Sequence, residues 1–331
     1  MHSSIIIPNY NGLRFLAPCL DALRGQSYPR ALTEVILVDD GSTDGSVSFV
    51  RQHYPEVVIV EMARNSGLAA ACNAGARAAH GDLLVMLNND TEVEPGWLAA
   101  LVESAAANPA AGAIASKMLL FDRRDTLHNA GDLMGRDGIP RNRGVWEQDR
   151  GQYDADLTVF GGCGGGVAYR RAAWEQAGGF DERLFMYLED VDLAWRLQLL
   201  GWRAVFAPQA RLYHHLSATG GGTLASFYVG RNTIWVIAKD MPAALIRRHF
   251  GQIIAAQARI TRGALAAWRG ASARARLRGQ IAGLLGLPKA LGGRRAVQRT
   301  RIASLVELEQ LLVHDNLDDT SSGRNVTTAR V

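Results

Sequence analysis

The sequence predicts an α/β fold in which helices flank a mainly parallel, twisted sheet. Of its 331 residues, 48 % are hydrophobic, which is enough for a full core. Short runs of apolar, often β-branched residues alternate with segments of helical periodicity, and this alternation is typical of parallel sheets with crossover helices. Polar residues follow several of these runs, at the strand ends where such sheets bind their ligands.

Four strands and their connecting helices are predicted between residues 4 and 107. The strand segments "SIIIP", "EVILVD", "VVIVE" and "LLVML" occupy residues 4–8, 34–39, 57–61 and 83–87. Each is short and apolar, as buried strands are. Apolar spacing predicts helices at 14–24, 47–53 and 97–107, together with an alanine-rich helix that ends near Gly81.

The pattern continues to residue 215. "AGAIASKMLL" is strand-like, the glycine-rich "GGCGGG" at 161–166 runs into the strand "VAYRR", and "RAVFAPQARLYHH" is a strand that ends in two histidines. The glycines precede a strand and do not open a helix, which favours a bare backbone surface for substrate over a phosphate-binding loop. Helical periodicity in 186–202 puts Glu189 and Asp190 in a first turn, where negative charge suits the helix dipole.

Charge is distributed unevenly along the chain. Residues 241–331 carry 15 Lys+Arg and 5 Asp+Glu, a net of +10, so the remainder of the chain carries −6 of the total of +4. Such a basic helical extension fits a solvated face packed on the main domain. It equally fits a helix on an anionic membrane surface, because Ile246, Phe250, Ile253 and Ile254 share one face. Few aromatic residues and no recognisable module argue against nucleic-acid binding.

Cysteine use and hydropathy indicate the cellular compartment. Cys19, Cys72 and Cys163 form no CxxC pair, which fits a reducing environment. No signal peptide is visible, and no apolar run approaches the roughly 18–20 residues of a membrane-spanning helix. The sequence therefore predicts a cytoplasmic protein, with the membrane surface as an alternative site of action.

Acidic residues gather at the predicted element ends. Asp39–Asp40, Asp90 and Glu189–Asp190 each fit a turn or a helix cap when considered singly. Together at one rim of a sheet they predict a site for Mg²⁺ or Mn²⁺ that neutralises a diphosphate, and a second carboxylate that accepts a proton. His214 is a further candidate ligand. Dinucleotide-binding, P-loop, HExxH and GxSxG motifs are absent from the sequence.

Four segments of the sequence carry a resemblance to a known family. They are "SIIIPNYNG", "VILVDDGSTDGS", "RNSGLAAACNAGARAAHGDLLVMLNNDTEVEPGWL" and "GGFDERLFMYLEDVDLAWRLQLLGWR". In order and spacing they resemble the motifs of family 2 glycosyltransferases. The similarity covers roughly residues 3–240 and is greatest to the rhamnosyltransferase-like branch. It implies the GT-A fold, a nucleotide-diphospho-sugar donor, a divalent metal and inversion at the anomeric carbon.

The resemblance also implies roles for individual residues. Asp190 would be the general base, with Glu189 beside it near the acceptor, and Asp90 would hold the metal with His214. Asn88 stands where the family's DxD motif begins with Asp, and an amide is a weaker partner for metal or ribose. The residues implied to bind the donor are Pro8, Asn9, Tyr10, Asp39, Asp40, Arg64, Asn65, Gly67, Asn73, Asn88 and Asn89.

The predicted organisation has three parts. Residues 1–240 would form the catalytic domain, with nucleotide-sugar binding in 1–95 and the acceptor and catalytic part in 96–240. Residues 241–316 would form the basic helical extension, and 317–331 a disordered tail.

The predicted function is metal-assisted transfer of a sugar, rhamnose from dTDP-rhamnose, to a hydroxyl of a glycan or lipid-linked acceptor. One alternative is a sugar nucleotidyltransferase, which should carry a glycine-rich basic loop after the first strand, where this chain has "PNYNG". Another is a non-catalytic module that binds nucleotide sugars, which would not need a carboxylate at Asp190.

Overall fold

The computed structural model describes residues 1–215 and 221–313 of the chain. Internal contacts divide it into two units. The first comprises Met1–Asp132, Asn142–Gln198 and Trp202–Thr219; the second comprises Leu133–Arg141, Leu199–Gly201 and Gly220–Val331. The predicted domain limits at 240 and 316 stay predictions, and the predicted disorder of 317–331 concerns residues outside those described.

Strands and helices alternate along the first two thirds of the chain. In order they are β1 (Ser3–Asn9), α1 (Leu13–Arg24), β2 (Thr33–Asp39), α2 (Ser46–His53), β3 (Val58–Glu61), α3 (Leu68–Ala78), β4 (Leu83–Leu87), β5 (Thr91–Val93), α4 (Trp97–Ala107), β6 (Ala111–Leu120), β7 (Leu127–Asn129), β8 (Asp132–Gly135), β9 (Pro140–Asn142), β10 (Thr158–Val159), β11 (Gly166–Arg170), α5 (Arg171–Ala177), α6 (Glu189–Leu199) and β12 (Arg203–His214). Short 3₁₀ helices span Arg30–Leu32 and Glu182–Leu184.

The large sheet of the first unit is mixed. Its strand order is β10-β12-β6-β11-β4-β1-β2-β3, with β5 paired to β12 and β7 to β6. β1, β2, β3 and β4 run parallel, as the sequence predicts. β11 lies antiparallel between β4 and β6, because it enters directly from the glycine-rich loop. The predicted α/β fold with helices flanking a sheet is confirmed.

Alternate residues of the central strands enter two different cores. Ile5 and Ile7 pack into one core with side chains of α1, α2 and α4. Ile6 packs into the other with side chains of α3, α5 and α6. Because both faces are covered, β4 is buried along its whole length. The polar groups needed for chemistry therefore lie at the ends of these strands.

The second unit is mainly helical. Its helices are α7 (Gly222–Asp240), α8 (Ala243–Arg248), α9 (Phe250–Ala266), α10 (Ala271–Leu285), α11 (Leu287–Arg299) and α12 (Leu305–Gln310), followed by β13 (Leu312–Val313). β13, β8 and β9 form a three-stranded sheet. α10 packs closely on α7, since a Cβ at Gly279 would lie 2.1 Å from the backbone oxygen of Phe227. Among the residues described, no helix is long and apolar enough to span a membrane.

Candidate active site

A chain of hydrogen bonds joins the ends of three parallel strands. The side-chain amide of Asn89, just past β4, donates to Oδ1 of Asn9 at the end of β1 (2.8 Å). The Asn9 amide donates in turn to Oδ1 of Asp39 at the end of β2 (3.0 Å), and Asp39 Oδ2 accepts the backbone N–H of Ser42 (2.9 Å). Asn9, Asp39 and Asn89 are all buried. They hold the strand ends together, and their predicted donor contacts stay predictions.

Asp40 holds the neighbouring loop. Its two carboxylate oxygens accept the backbone N–H groups of Ser66 (2.7 Å) and Gly67 (2.9 Å). Burial raises the pKa of Asp40 above its usual value, while these two hydrogen bonds oppose that shift. Gly67 has a φ of +93°, and a Cβ there would lie 2.5 Å from the ring of Phe185, so only glycine fits.

The other residues predicted to bind the donor differ in exposure. Tyr10 is 48 % exposed, and Arg64 and Asn65 are also exposed, so these three side chains are accessible to a ligand. Asn73 instead makes hydrogen bonds with the backbone of Phe180, which donates to Asn73 Oδ1 (2.9 Å) and accepts from its amide (2.9 Å). The structure thus shows Asn73 holding the "GGFDE" loop.

Asp90 and His214 meet at the tip of the sheet. The Asp90 carboxylate lies 3.2 Å from Nε2 of His214, and both side chains are largely buried. The backbone N–H of His215 donates to the Asp90 carbonyl (2.9 Å), which fixes the end of β12 against this tip. A carboxylate and an imidazole are donors that suit Mn²⁺, so the pair fits the implied metal. Within 1–215 and 221–313, no group of three or more such side chains is arranged to hold an ion.

A second histidine lies behind this pair. The ring of His128 stacks on His214, with centroids 4.9 Å apart and planes inclined by 7°. Burial is the larger cause, and the charge of His214 the smaller one, that lower the pKa of His128 to about 3. His128 therefore stays neutral. The sequence analysis missed His128. His215 points elsewhere and stacks on Phe121 at 3.7 Å, with Nε2 3.6 Å from Glu92.

One glycine turn contacts both halves of the predicted site. The carbonyl of Gly165 accepts the backbone N–H of Asn88 (3.2 Å), and the N–H of Gly164 donates to Oδ2 of Asp190 (2.8 Å). The tip that carries Asp90 and the helix start that carries Asp190 therefore adjoin the same two glycines. The role of residues 161–166 as a bare backbone surface for substrate stays a prediction.

Glu189 and Asp190 differ although they are neighbours. Asp190 is partly exposed, and its carboxylate also accepts the N–H of Val191 (2.8 Å). Glu189 is 3 % exposed, and its Oε2 has no hydrogen-bond partner among the described residues. Burial raises the pKa of both groups, and the Asp190 charge raises the pKa of Glu189 further, well above its usual value. Glu189 therefore holds its proton more tightly, and Asp190 is the more accessible of the two carboxyl groups.

The backbone before this pair is strained. Phe185, Tyr187 and Leu188 have φ values of +67°, +64° and +64°, which cost about 1–3 kcal/mol each for side chains of this size. Strain of this kind collects at functional sites. Burial is the main cause that raises the pKa of Tyr187 to about 12, so this hydroxyl keeps its proton.

A third carboxylate lies beside the pair and was missed by the sequence analysis. Asp132 is buried and accepts a hydrogen bond from the Asn129 amide (2.5 Å). Its backbone pairs with Gly161, next to the glycine turn. Burial, followed by the charge of Asp190, raises the pKa of Asp132 to about 7. No local pattern identifies Asp132, because only the pairing with Gly161 brings it to the site.

Comparison with known proteins identifies the family. Residues 4–178, more than half of the chain, match the family model described as Glycosyl transferase family 2. This chain is a family 2 glycosyltransferase. The enzyme is 33 % identical over 215 residues to N-acetylglucosaminyl-diphospho-decaprenol L-rhamnosyltransferase of Mycobacterium tuberculosis, covering 58 % of this chain and 69 % of that protein. It is 34 % identical to O-antigen biosynthesis protein RfbC of Myxococcus xanthus over 65 % of this chain and 17 % of that one.

Solved structures share the fold of this glycosyltransferase. A mannosyltransferase from Pyrobaculum calidifontis, in complex with GDP-Man and Mn²⁺, superposes with a TM-score of 0.54 at 22 % identity over 94 % of this chain and 78 % of that one. S. aureus TarS 1–349 with UDP gives a TM-score of 0.57 at 17 % identity over 91 % of both chains. The GT-A fold and the assignment as a glycosyltransferase are confirmed. The roles of the site residues stay predictions.

Proposed function

We propose that this glycosyltransferase moves rhamnose from dTDP-rhamnose, with inversion, to a hydroxyl of a glycan or lipid-linked acceptor. Residues 1–95 would bind the donor, residues 96–240 would bind the acceptor and carry the base, and residues 241–316 would form an accessory helical part. The observation that carries the proposal is the Gly164–Gly165 turn, which contacts both the Asn88 tip and Asp190.

Two donor-side groups follow from this arrangement. Asp90 and His214 would hold Mg²⁺ or Mn²⁺, and that ion supplies positive charge that neutralises a diphosphate leaving group. Tyr10, Arg64 and Asn65 are accessible, and Asp40 lies beside the segments that carry them. Asp40 is proposed to contact the base of the nucleotide. Asn9, Asp39 and Asn89 support that side by fixing the strand ends.

The chemical step requires one base. Two backbone N–H groups occupy only two of the roughly four acceptor positions of the Asp190 carboxylate. The remaining positions can accept the proton of an acceptor hydroxyl. As that proton moves to Asp190, the hydroxyl oxygen bonds to the anomeric carbon and the bond to the nucleoside diphosphate breaks on the opposite face. A base whose pKa is raised toward the working pH accepts a proton efficiently.

Glu189 and Asp132 set the environment of that base. Both are buried carboxyl groups near Asp190, and burial raises the pKa of each. A neighbour that keeps its proton leaves the Asp190 carboxylate as the proton acceptor, as in other sites where two carboxyl groups have different roles. Glu189 is in addition proposed to lie near the acceptor.

The sugar, the acceptor and the location rest on similarity. The Mycobacterium tuberculosis relative is named for rhamnosyl transfer to a diphospho-decaprenol-linked sugar, and this supports rhamnose and a lipid-linked acceptor for the present chain. We extend the proposal to a cytoplasmic enzyme that works at the inner face of the cell membrane, where such acceptors lie. No feature of the described residues favours a nucleotidyltransferase or a non-catalytic module.

A donor panel tests the proposal. Purified enzyme with Mn²⁺ is incubated with dTDP-rhamnose, UDP-GlcNAc or GDP-mannose and a GlcNAc-diphospho-prenol acceptor, and glycosylated product is measured. We expect product from dTDP-rhamnose, in the inverted configuration by NMR. Product from another donor only would overturn the rhamnose assignment, and retained configuration would overturn the mechanism.

A further inference from the structure

Exposed apolar side chains concentrate in the second unit. Among the described residues, fifteen large apolar side chains are exposed, and ten of these fall between residues 250 and 306. The ten are Phe250, Ile254, Leu265, Trp268, Ile281, Leu284, Leu285, Leu291, Ile302 and Val306. An apolar concentration of this kind marks an interaction surface more often than isolated exposed residues do.

Helix α9 presents an apolar line to solvent. Phe250, Ile254 and Leu265 are 58 %, 51 % and 55 % exposed, and their spacing of four and eleven residues puts them on one side of the helix. Ile253 and Ala256, on the other side, are buried. The sequence analysis had put Ile253 on the same face as Phe250, and the burial of Ile253 corrects that assignment.

Helix α10 has the same division. Its small residues at 275, 279 and 283 are buried, and Gly279 and Gly283 approach the backbone of α7. On the opposite side Ile281, Leu284 and Leu285 are 57 %, 58 % and 78 % exposed. Around the helix, the exposed Arg274 lies between Ile281 and Leu285, and the exposed Arg278 lies just beyond Leu285.

The two helices form one hairpin. A short turn, residues 267–270, joins them, and Gln280 of α10 bonds to Thr261 (3.1 Å) and Gln257 (3.2 Å) of α9. Trp268 in the turn is 61 % exposed. We call the exposed sides of α9 and α10, with Trp268, the hairpin face. Tryptophan at the end of an apolar and basic surface is typical of a membrane–water interface.

The positive charge of this segment restricts which partners can bind the hairpin face. Residues 241–306 contain twelve arginines, one lysine and no acidic residue. A second copy of the chain meeting this face symmetrically would place like charges opposite each other, which opposes association. An anionic lipid surface instead offers negative headgroups to the arginines and an apolar layer to Leu285 and Trp268.

We infer that the hairpin face docks on an anionic lipid surface. Leu265, Trp268 and Leu285 enter the acyl boundary while Arg262 and Arg278 contact the headgroups. The inference rests on the proposed action at the cell membrane, and it names the residues that make the contact.

Vesicle sedimentation tests this inference with the full chain. Wild type is expected to bind vesicles of phosphatidylglycerol and phosphatidylcholine, to bind pure phosphatidylcholine weakly, and to be released by salt. Trp268→Ser with Leu285→Ser removes exposed apolar side chains and should lower the bound-to-free ratio about tenfold or more. Arg262→Gln with Arg278→Gln should lower it about fivefold per arginine.

Matched controls come from the first unit. The double variant Val58→Ser with Leu157→Ser removes two exposed apolar side chains. The double variant Arg77→Gln with Arg150→Gln removes two exposed cations. Both double variants should bind vesicles as wild type does. Equal binding of wild type to anionic and neutral vesicles, or unchanged binding of both hairpin variants, would overturn the inference. The inference would also be overturned if light scattering showed that wild type is a dimer and that Leu285→Ser converts it to a monomer.

A soluble acceptor separates this inference from the proposed function. Transfer of rhamnose to a short water-soluble glycan needs no membrane, so the hairpin variants should retain it within about twofold. Wild type that fails in this assay yet binds anionic vesicles contradicts the proposed function alone. Wild type that transfers but ignores anionic vesicles contradicts the docking alone.

Discussion

Two regions of the sheet edge use carboxylates in opposite ways. At the proposed nucleotide side, Asp39 and Asp40 each accept hydrogen bonds from two donors, which are backbone N–H groups or the Asn9 amide. At the proposed catalytic side, Glu189 leaves Oε2 without a partner among the described residues, and Asp132 is buried near the charge of Asp190. In the first region the carboxylates hold loops through hydrogen bonds. In the second region several carboxyl groups lie close together.

One edge of the sheet can therefore combine a stabilising and a proton-accepting use of carboxyl groups. Backbone donors that satisfy a carboxylate stabilise the fold and oppose the rise in pKa that burial causes, as they do at Asp40. Buried carboxyl groups that lie near one another favour protonation, which costs stability but prepares a base. The four predictions that follow test this division.

The largest effect is expected for Asp190→Asn. An amide cannot accept the hydroxyl proton, so kcat should fall about 10³-fold, within the range that a general base contributes. Donor affinity should change little, because Asp190 acts on the acceptor. Steady-state transfer and calorimetric donor binding measure the two quantities. Glu175→Gln, an exposed carboxylate on α5, is the control and should keep normal turnover.

The metal pair should show the next largest effect. Asp90→Asn and His214→Gln each remove one proposed metal ligand. Either change should weaken Mn²⁺ binding by about 100-fold, which is the upper end of the loss found when only a group that orients a metal ligand is changed. Electron paramagnetic resonance of free Mn²⁺ measures the affinity. His215→Gln, whose ring stacks on Phe121, should bind Mn²⁺ within about twofold of wild type. A loss at His215 equal to that at His214 would reassign the ligand.

Asp39→Ala should act on stability more than on the chemical step. It removes the acceptor of the Ser42 N–H and one of the two acceptors of the Asn9 amide, whose other acceptor is the Ser42 hydroxyl, and a buried donor left unsatisfied costs about 1–3 kcal/mol. Urea unfolding measures this loss, and kcat at saturating donor should stay within a few-fold of wild type. Full stability with abolished turnover would show that the two regions do not divide the work in this way.

Asp132→Asn should give the smallest change in rate and a pH-dependent change in stability. The pKa of Asp132 is raised to about 7 in the folded chain from 3.8, so wild type loses stability as the pH rises from about 4 through about 7. The variant cannot ionise and should gain on wild type across that window, on the order of 1 kcal/mol per pKa unit. Losing a neighbouring negative charge should also move the acid limb of kcat to lower pH.

Thermal unfolding at pH 5 and pH 8 measures the stability difference, and a pH–rate profile measures the limb. Asp125→Asn, on an exposed loop, is the control and should show no such pH dependence. A variant that becomes less stable than wild type as the pH rises would show that Asp132 is not crowded by Asp190.

Local sequence information predicted the elements well. Leu83–Leu87, Trp97–Ala107 and Ala111–Leu120 have the predicted bounds, because an apolar run bounded by turn residues determines a buried strand or helix. The polar residues at the strand ends were predicted to gather at one edge because the strands that they follow run parallel. Asp90 with His214, and Asp190 with the 161–166 segment, are brought together as expected.

Features that depend on distant pairing were missed. Asp132 lies near Asp190 only because its backbone pairs with Gly161, and His128 stacks behind His214 only because β7 pairs with β6. The short strands Leu127–Asn129, Asp132–Gly135 and Pro140–Asn142 were likewise not predicted. Ile253 is buried although its period fits the exposed face, because neighbouring elements of its own unit cover that side.

The central claim is that a metal at Asp90 and a base at Asp190 act across one crevice that is floored by the glycine turn. Donor affinity with and without Mn²⁺, measured beside kcat on Asp90→Asn and Asp190→Asn, tests it most directly. We expect Asp90→Asn to remove the Mn²⁺-dependent part of donor binding, and Asp190→Asn to keep that part while losing turnover. Near-normal turnover in Asp190→Asn, or an unchanged Mn²⁺ dependence in Asp90→Asn, would contradict the claim.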